Sequence, residues 1–286
     1  MESQVSIANT QLDVEELAFL KSQTGIEDEQ ALSEHISIMG SRAVNEVFRY
    51  GCIQNTAFAK FRISRLPAYQ KVLELGRTRE NAVLLDIGCC FGHDARKIIA
   101  DGFPINNIVA SDLRPEFWAL GHEIFKSTPQ TFPVAFIPGD AFDSDFITDK
   151  RPFMRTEEVA TERPPDLHTL KSLTPLQGHV SAIHASAFFH LFDKDRQQAL
   201  GERLGSLLSP LPGSLILGSH RALLDGPGIL TNMREEQVFC HSPESWKEFW
   251  DGGIFPAGAV QVEAELVPRI RDGQQQWMMR WSVTRI

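Results

Sequence analysis

Three aspartates stand at the ends of three strand-like runs, and each could accept hydrogen bonds from a ligand. They are Asp86 after "VLL", Asp112 after "VAS" and Asp140 after "FIPG". Open α/β sheets bind ligands beyond the carboxyl ends of their strands, so acids there are well placed for the work. Behind Asp86 comes "IGCCFG", in which Gly88 and Gly92 bracket Cys89, Cys90 and Phe91. Glycine at such a turn lets the backbone take a positive φ or approach a ligand closely. The order D-x-G-x-x-x-G departs from the G-x-G-x-x-G of dinucleotide sites. Cys90 and Phe91 stand where a pyrophosphate cradle would be wanted.

A nucleoside cofactor without a pyrophosphate and with a positively charged end fits these residues better, and S-adenosylmethionine is one. Asp86, with Gly88, Cys89 and Gly92 around it, suits the cationic amino-acid end. Asp112 follows Asp86 by 26 residues and can accept from both ribose hydroxyls. Asp140 can accept from the adenine amino group, Ala141 offers a backbone N–H, and Phe142 a stacking face. The competing role for each acid is a helix N-cap, notably for Asp112 before "RPEF".

The acceptor side is read from the segment after the fourth strand, "FFHLF". His190 is the expected catalytic residue. It would hydrogen-bond an acceptor carboxylate or take a proton from a phenol, against the alternative of capping a helix or filling the core. Phe188 and Phe189 would wall the pocket, His220 at the end of strand five is a second polar candidate, and Tyr50, beside Arg49, would close over the site. His93 is expected to open a helix, His184 to be structural, and Trp246 and Trp250 to pack on the sheet.

These residues need elements to hold them. From Ala82 onward, strand and helix patterns alternate, which implies a parallel sheet with helices on both faces. "AVQVEAELVP" and "QWMMRWSVTRI" close the chain as a hairpin around Asp272 and Gly273, adding an antiparallel edge strand. Residues 1–80 read as a helical cap with a break at Gly40, and residues 81–286 as the ligand-binding domain. The Pro-rich stretch from Asp149 to Gly178 is long for a loop and is expected to be a lid or a decorated helix.

Composition narrows the function further. The 286 residues carry a formal net charge of -9 with no basic cluster, so neither nucleic acid nor an anionic membrane surface is an expected partner. No apolar run approaches the ~18 residues of a membrane span, and "MESQVSIANTQLDVEE" does not read as a secretory signal. Cys52, Cys89, Cys90 and Cys240 show no metal-ligand spacing. No metal is expected, and free thiols point to the cytoplasm.

The stretches "LLDIGCCFGHDARKIIADGFP", "SDLRPEFWALGHEIF", "HASAFFHLFDKDRQ" and "PGSLILGSHRA" together resemble class I S-adenosylmethionine-dependent methyltransferases. More narrowly, they are similar to fungal enzymes of meroterpenoid pathways such as those making austinol, andrastin and terretonin, which carry the same Gly-Cys-Cys turn. The resemblance implies a Rossmann-like, mostly parallel sheet of seven strands. It implies methyl-esterification of the carboxylate of a farnesylated aromatic polyketide acid, a small hydrophobic substrate. It also implies Leu113 beside Asp112 at the ribose, and Ala141 beside Asp140 at the adenine. The alternatives are a methyltransferase acting on a phenol, nitrogen or carbon of another metabolite, or a non-catalytic cofactor-binding module. The leading helices could serve a homodimer.

Overall fold

Val83–Ile87 is short, apolar but for Asp86, and wholly buried, so it forms a central strand of a parallel sheet. The structure, a computed structural model, describes residues 5, 12–231, 237–271 and 274–286. In chain order the strands are β1 (Val83–Ile87), β2 (Ile108–Ser111), β3 (Ala135–Phe136), β4 (Val180–His184), β5 (Leu215–Ala222), β6 (Gly228–Thr231), β7 (Gln237–Cys240), β8 (Val260–Arg271) and β9 (Gln274–Arg285). The helices are α1 (Val14–Thr24), α2 (Glu29–Arg42), α3 (Gly51–Gln54), α4 (Tyr69–Thr78), α5 (His93–Ala100), α6 (Pro115–Ile124), α7 (Lys194–Leu207) and α8 (Pro243–Trp250).

Seven strands form one Rossmann-like sheet in the order β3-β2-β1-β4-β5-β9-β8. Strands β1 to β5 run parallel, and β9 runs antiparallel to both of its neighbours. The antiparallel strand of the closing hairpin therefore lies one place in from the edge, and β8 closes the sheet. The turn expected around Asp272 and Gly273 lies outside the described residues. Strand order reverses between β1 and β4, and that reversal opens a crevice at their carboxyl ends.

Alternation along β1 feeds two cores. Val83, Leu85 and Ile87 face Leu200, Leu204, Trp246 and Trp250 from α7 and α8. Leu84 faces the other way, against Val72 of α4, Ile98 of α5 and Trp118 of α6. A third core joins the leading helices to the rest: Leu32, Ile36, Ile53 and Phe58 bury against Phe91, Phe117 and Ile124. The leading helices are thus held by the glycine turn and by α6.

Three expectations change. α2 runs through Gly40 to Arg42 and continues as a π turn over Ala43–Val47, with no break. Gly40 serves close packing instead, since a Cβ there would meet Val5 Cγ1 at 2.9 Å. The stretch from Asp149 to Gly178 holds three short 3₁₀ turns, anchored by buried Phe153, Leu167, Leu173 and Leu176. It packs at the amino-terminal end of β4: Gly178 N–H donates to Ser206 O at the end of α7, and Arg285 reaches Phe153 O. Finally, β6 and β7 pair as a separate two-stranded sheet that the sequence patterns did not suggest. No helix among the described residues is long and apolar enough to cross a membrane.

Candidate functional site

A cavity of about 590 Å³ opens at the carboxyl ends of β1, β2 and β4, within the range of small-molecule sites. Its floor is the turn after β1. Gly88 N–H and Cys89 N–H both donate to Ser111 O of β2, at 2.8 and 3.1 Å. Gly88 and Gly92 take φ +69 and +70, and Cys90 between them takes φ +51. A Cβ on Gly88 would lie 2.9 Å from the Phe188 ring, and one on Gly92 2.6 Å from Trp118. Both positions therefore need glycine for conformation and for space. Cys90 bears the positive φ as an L-residue, and its N–H donates to Asp112 Oδ2 at 2.9 Å. Burial pushes the Cys89 and Cys90 thiols well above their ordinary values, so neither is a nucleophile at neutral pH.

Strand register brings Asp86 of β1 beside His184 of β4. His184 Nδ1 meets Asp86 Oδ1 at 2.8 Å, and His184 Nε2 meets Ser186 Oγ at 2.7 Å. Ser186 Oγ also accepts from Ser219 N–H at 3.1 Å. Burial opposes the charged imidazole, but the hydrogen bond and charge of Asp86 outweigh it and raise its pKa. The pair fixes one carboxylate oxygen and leaves the other, Oδ2, buried without a partner. An unmatched buried acceptor on a pocket wall fits a cationic ligand group, because leaving it empty-handed costs free energy. The chain Asp86–His184–Ser186 has the order of a hydrolytic triad. However, Ala187 N–H next to it is taken by Ser219 O at 2.6 Å, so it adds no oxyanion donor.

The other two acids lie on the same lining. Asp112 is half-buried and lines the pocket, and its Oδ1 also accepts from Arg114 N–H at 3.0 Å. That bond closes a turn ahead of α6, whose N-cap is Arg114, so Asp112 is not the helix cap. Leu113 beside it is 54% exposed although apolar. Asp140 is exposed and accepts from Phe142 N–H at 2.9 Å, while Ala141 is buried with its carbonyl bound by Arg203. Phe142 lies on the lining, with its ring edge-to-face against Phe192. Asp86, Gly88, Cys89, Asp112, Leu113, Asp140, Ala141 and Phe142 all line one cavity, and Gly92 braces its floor.

The acceptor-side residues divide. Tyr50 and Phe188 line the cavity; Arg49 does not. Phe189 and His220 are corrections. Both are buried in the aromatic core, Phe189 5.0 Å from Trp246, and His220 accepting from Trp281 Nε1 at 3.0 Å. Burial holds His220 well below its ordinary pKa. His190 is off the lining too. Its Nδ1 is buried without a partner, its ring is 6.4 Å from that of His220, and burial lowers its pKa to about 4. A neutral imidazole so hard to protonate is a weak base at physiological pH. His93 opens α5 as expected and stacks between Phe61 and Phe125.

Several lining residues are not singled out by the sequence reading. Arg62, Arg114 and Arg196 supply positive charge, Phe48 and Phe58 come from the leading segment, and Gln237 and Val238 from β7. Arg114 lies over Phe48 at 4.3 Å and Arg196 over Phe142 at 4.9 Å. His184 and Ser186 could have been paired by the two-residue period of a strand, but the partner Asp86 needed the register. Among the described residues, no group of three His, Cys, Asp or Glu side chains is arranged to hold a metal ion.

Known proteins are similar to this sequence. Residues 5–59 match the profile of the meroterpenoid methyltransferase N-terminal domain. Methyltransferase adrK of Penicillium roqueforti is 31% identical over 243 residues, covering 85% of this chain and 74% of that protein. Methyltransferase ausD of Aspergillus calidoustus is 31% identical over 221 residues, covering 76% and 68%. The asnovolin E/chermesin D methyltransferase nvfJ of Aspergillus novofumigatus is 30% identical over 217 residues, with the same coverage of 76% and 68%.

Proposed function

The chain belongs to the fungal meroterpenoid methyltransferases, and from that premise we propose that it methyl-esterifies the carboxylate of a farnesylated aromatic polyketide acid. Its class is plain: an S-adenosylmethionine-dependent methyltransferase of secondary metabolism, acting on a small molecule. When bound, the cofactor supplies an activated methyl group on a sulfonium, so the protein's part is to bind, orient and exclude water. The residues present fit it. Asp86 Oδ2 is an unmatched buried acceptor for its cationic end. In this reading Gly88, Cys89 and Gly92 shape that end, Asp112 and Leu113 take the ribose, and Asp140, Ala141 and Phe142 take the adenine.

The observation that carries the ester reading is the make-up of the remaining wall. Phe48, Tyr50, Phe58, Phe188 and Leu191 offer an apolar face suited to a prenylated aromatic molecule. The imidazoles on the lining are already engaged, His184 by Asp86 and Ser186, and His93 in its aromatic stack. A carboxylate acceptor is ionised at neutral pH and needs no base, whereas a phenol is helped by one. His190, Phe189 and His220 then act behind the wall, by packing. Residues 1–80 serve as the cap of the acceptor side, with 81–286 as the cofactor domain. A homodimer through the leading helices and a cytoplasmic site of action complete the proposal, the latter suited to the four free thiols.

The test uses one synthetic probe, a farnesylated hydroxybenzoic acid, which offers a carboxylate and a phenol in the same molecule. The protein is incubated with it and with methyl-labelled S-adenosylmethionine. Label released as methanol by mild alkali marks the ester and is expected. Label that survives alkali marks an ether or carbon product and refutes the ester reading.

A further inference from the structure

Arg62 places an unmatched positive charge on the pocket wall. Three arginines line the cavity among the described residues; Arg114 and Arg196 each lie over an aromatic ring, although Arg114 Nε is buried without a hydrogen-bond partner. The half-buried guanidinium of Arg62 forms no hydrogen bond, ion pair or ring contact with any described residue. Its backbone, by contrast, is held on both sides. Phe61 N–H donates to the buried carboxylate of Glu16 at 3.0 Å, and the Phe61 ring stacks on His93 at 5.8 Å. Ile63 N–H donates to Asp94 Oδ1 at 2.9 Å. His93 and Asp94 are the first two residues of α5, directly after Gly92. Arg62 is therefore anchored through its neighbours beside the glycine turn, and its charge is felt both at Asp86 and at His190 after β4. Across the same cavity, Asp86 Oδ2 is a buried acceptor with no partner.

A guanidinium and a carboxylate oxygen that line one cavity, each without a hydrogen-bond partner yet close enough for their charges to act on each other, describe a receptor for a zwitterion. We propose that Arg62 binds the carboxylate of the cofactor's amino-acid end, while Asp86 Oδ2 takes its ammonium group. The proposal rests on the methyltransferase reading of the pocket and extends it to a residue of the leading segment. A guanidinium presents a planar fork that matches a carboxylate with two parallel hydrogen bonds. Partial burial keeps that interaction from being screened as it would be on an open surface. The cap then has a second duty besides roofing the acceptor. Through Glu16 and Arg62 it completes the cofactor site, so the cofactor's tail is gripped only when the leading helices are folded in place.

The experiment separates tail from nucleoside. Calorimetric titrations are run on the wild type, Arg62→Gln and Arg62→Lys with two ligands. One is S-adenosylhomocysteine; the other is 5′-methylthioadenosine, which keeps the nucleoside but lacks the amino-acid tail. Arg62→Gln is expected to weaken S-adenosylhomocysteine about tenfold or more. Arg62→Lys should recover part of that loss, and methylthioadenosine should stay within about twofold throughout. Equal losses for the two ligands would make Arg62 a support of the fold and overturn the assignment. Unchanged affinity for S-adenosylhomocysteine would overturn it as well, and a raised KM for the farnesylated acid would then move Arg62 to the acceptor. A wild type that binds neither ligand would remove the methyltransferase reading itself, a failure distinct from that of Arg62. Thermal melts accompany each variant, and if Arg62→Gln does not fold, the comparison is made on Arg62→Lys.

Discussion

Replacing Gly92 with alanine measures how tightly the floor of the site is wedged. Gly92 has φ +70, and an added Cβ would lie 2.6 Å from Trp118 Cζ3. Trp118 has little room to retreat, being 8% exposed and stacked on Phe136 at 4.9 Å and 4°. Gly25, the C-cap of α1, supplies an internal control. Its φ is +66, yet a Cβ there would meet nothing within 4 Å. Both variants place an L-residue in left-handed backbone, at about 1–2 kcal/mol. Both also gain a few tenths to about 1 kcal/mol by restricting the unfolded chain. Only the Gly92 variant adds overpacking, which costs about 1–3 kcal/mol. Gly25→Ala should therefore cost about 1 kcal/mol and Gly92→Ala about 2–4 kcal/mol. Urea unfolding reads the difference as a shift in midpoint at constant slope. A titration with S-adenosylhomocysteine gives the second reading: Gly25→Ala should bind like the wild type, and Gly92→Ala about tenfold or more weakly. Equal destabilisation of the two variants would refute the wedge. Full stability with lost binding would show that the ligand, and not Trp118, needs the space.

Two further expectations follow from the same geometry. Asp112→Ala removes an acceptor that the ribose hydroxyls would share, at about 1.5–3 kcal/mol for each charged hydrogen bond, so affinity for S-adenosylhomocysteine should fall about 100-fold or more. Affinity within about threefold of the wild type would rule out the ribose role. Burial lowers His93, His190 and His241 to about 4, against 6.5 for a free imidazole. The unfolded chain thus binds more protons between these values. The contribution is whole above pH 6.5 and is lost as pH falls toward 4, by on the order of 3 kcal/mol for the buried ring of His93 and less for half-buried His190. Urea midpoints measured across that window should drop steadily, and a flat profile would contradict the buried, neutral state of these rings.

The turn shows how sequence and structure divide the information. Glycine at 88 and 92 was readable because only glycine satisfies both a positive φ and a crowded neighbour, and that demand leaves a mark on the chain itself. Cys90 left no such mark, since a cysteine in left-handed backbone looks like any other cysteine until its φ is known. The three aspartates were readable because strand ends are local, and the sheet order then brings local ends together. Phe189 and His220 misled for the converse reason. Their neighbours in sequence lie near the pocket, but on a strand and a 3₁₀ turn adjacent residues face different ways, and these two face the tryptophans. The stretch from Asp149 to Gly178 misled because length alone says nothing about which end of the sheet a connection covers. Its buried leucines decided that.

The sequence by itself determined the strand–helix alternation, the acids at the strand ends, the glycines of the turn and the family. All of these are either local patterns or runs of motifs. Tertiary structure alone decided that His184 would hold Asp86, that Arg62 would line the cavity, and that β9 would insert between β5 and β8. Those facts depend on register and on contacts between residues far apart in the chain, which burial of apolar faces selects and which no short window of sequence contains.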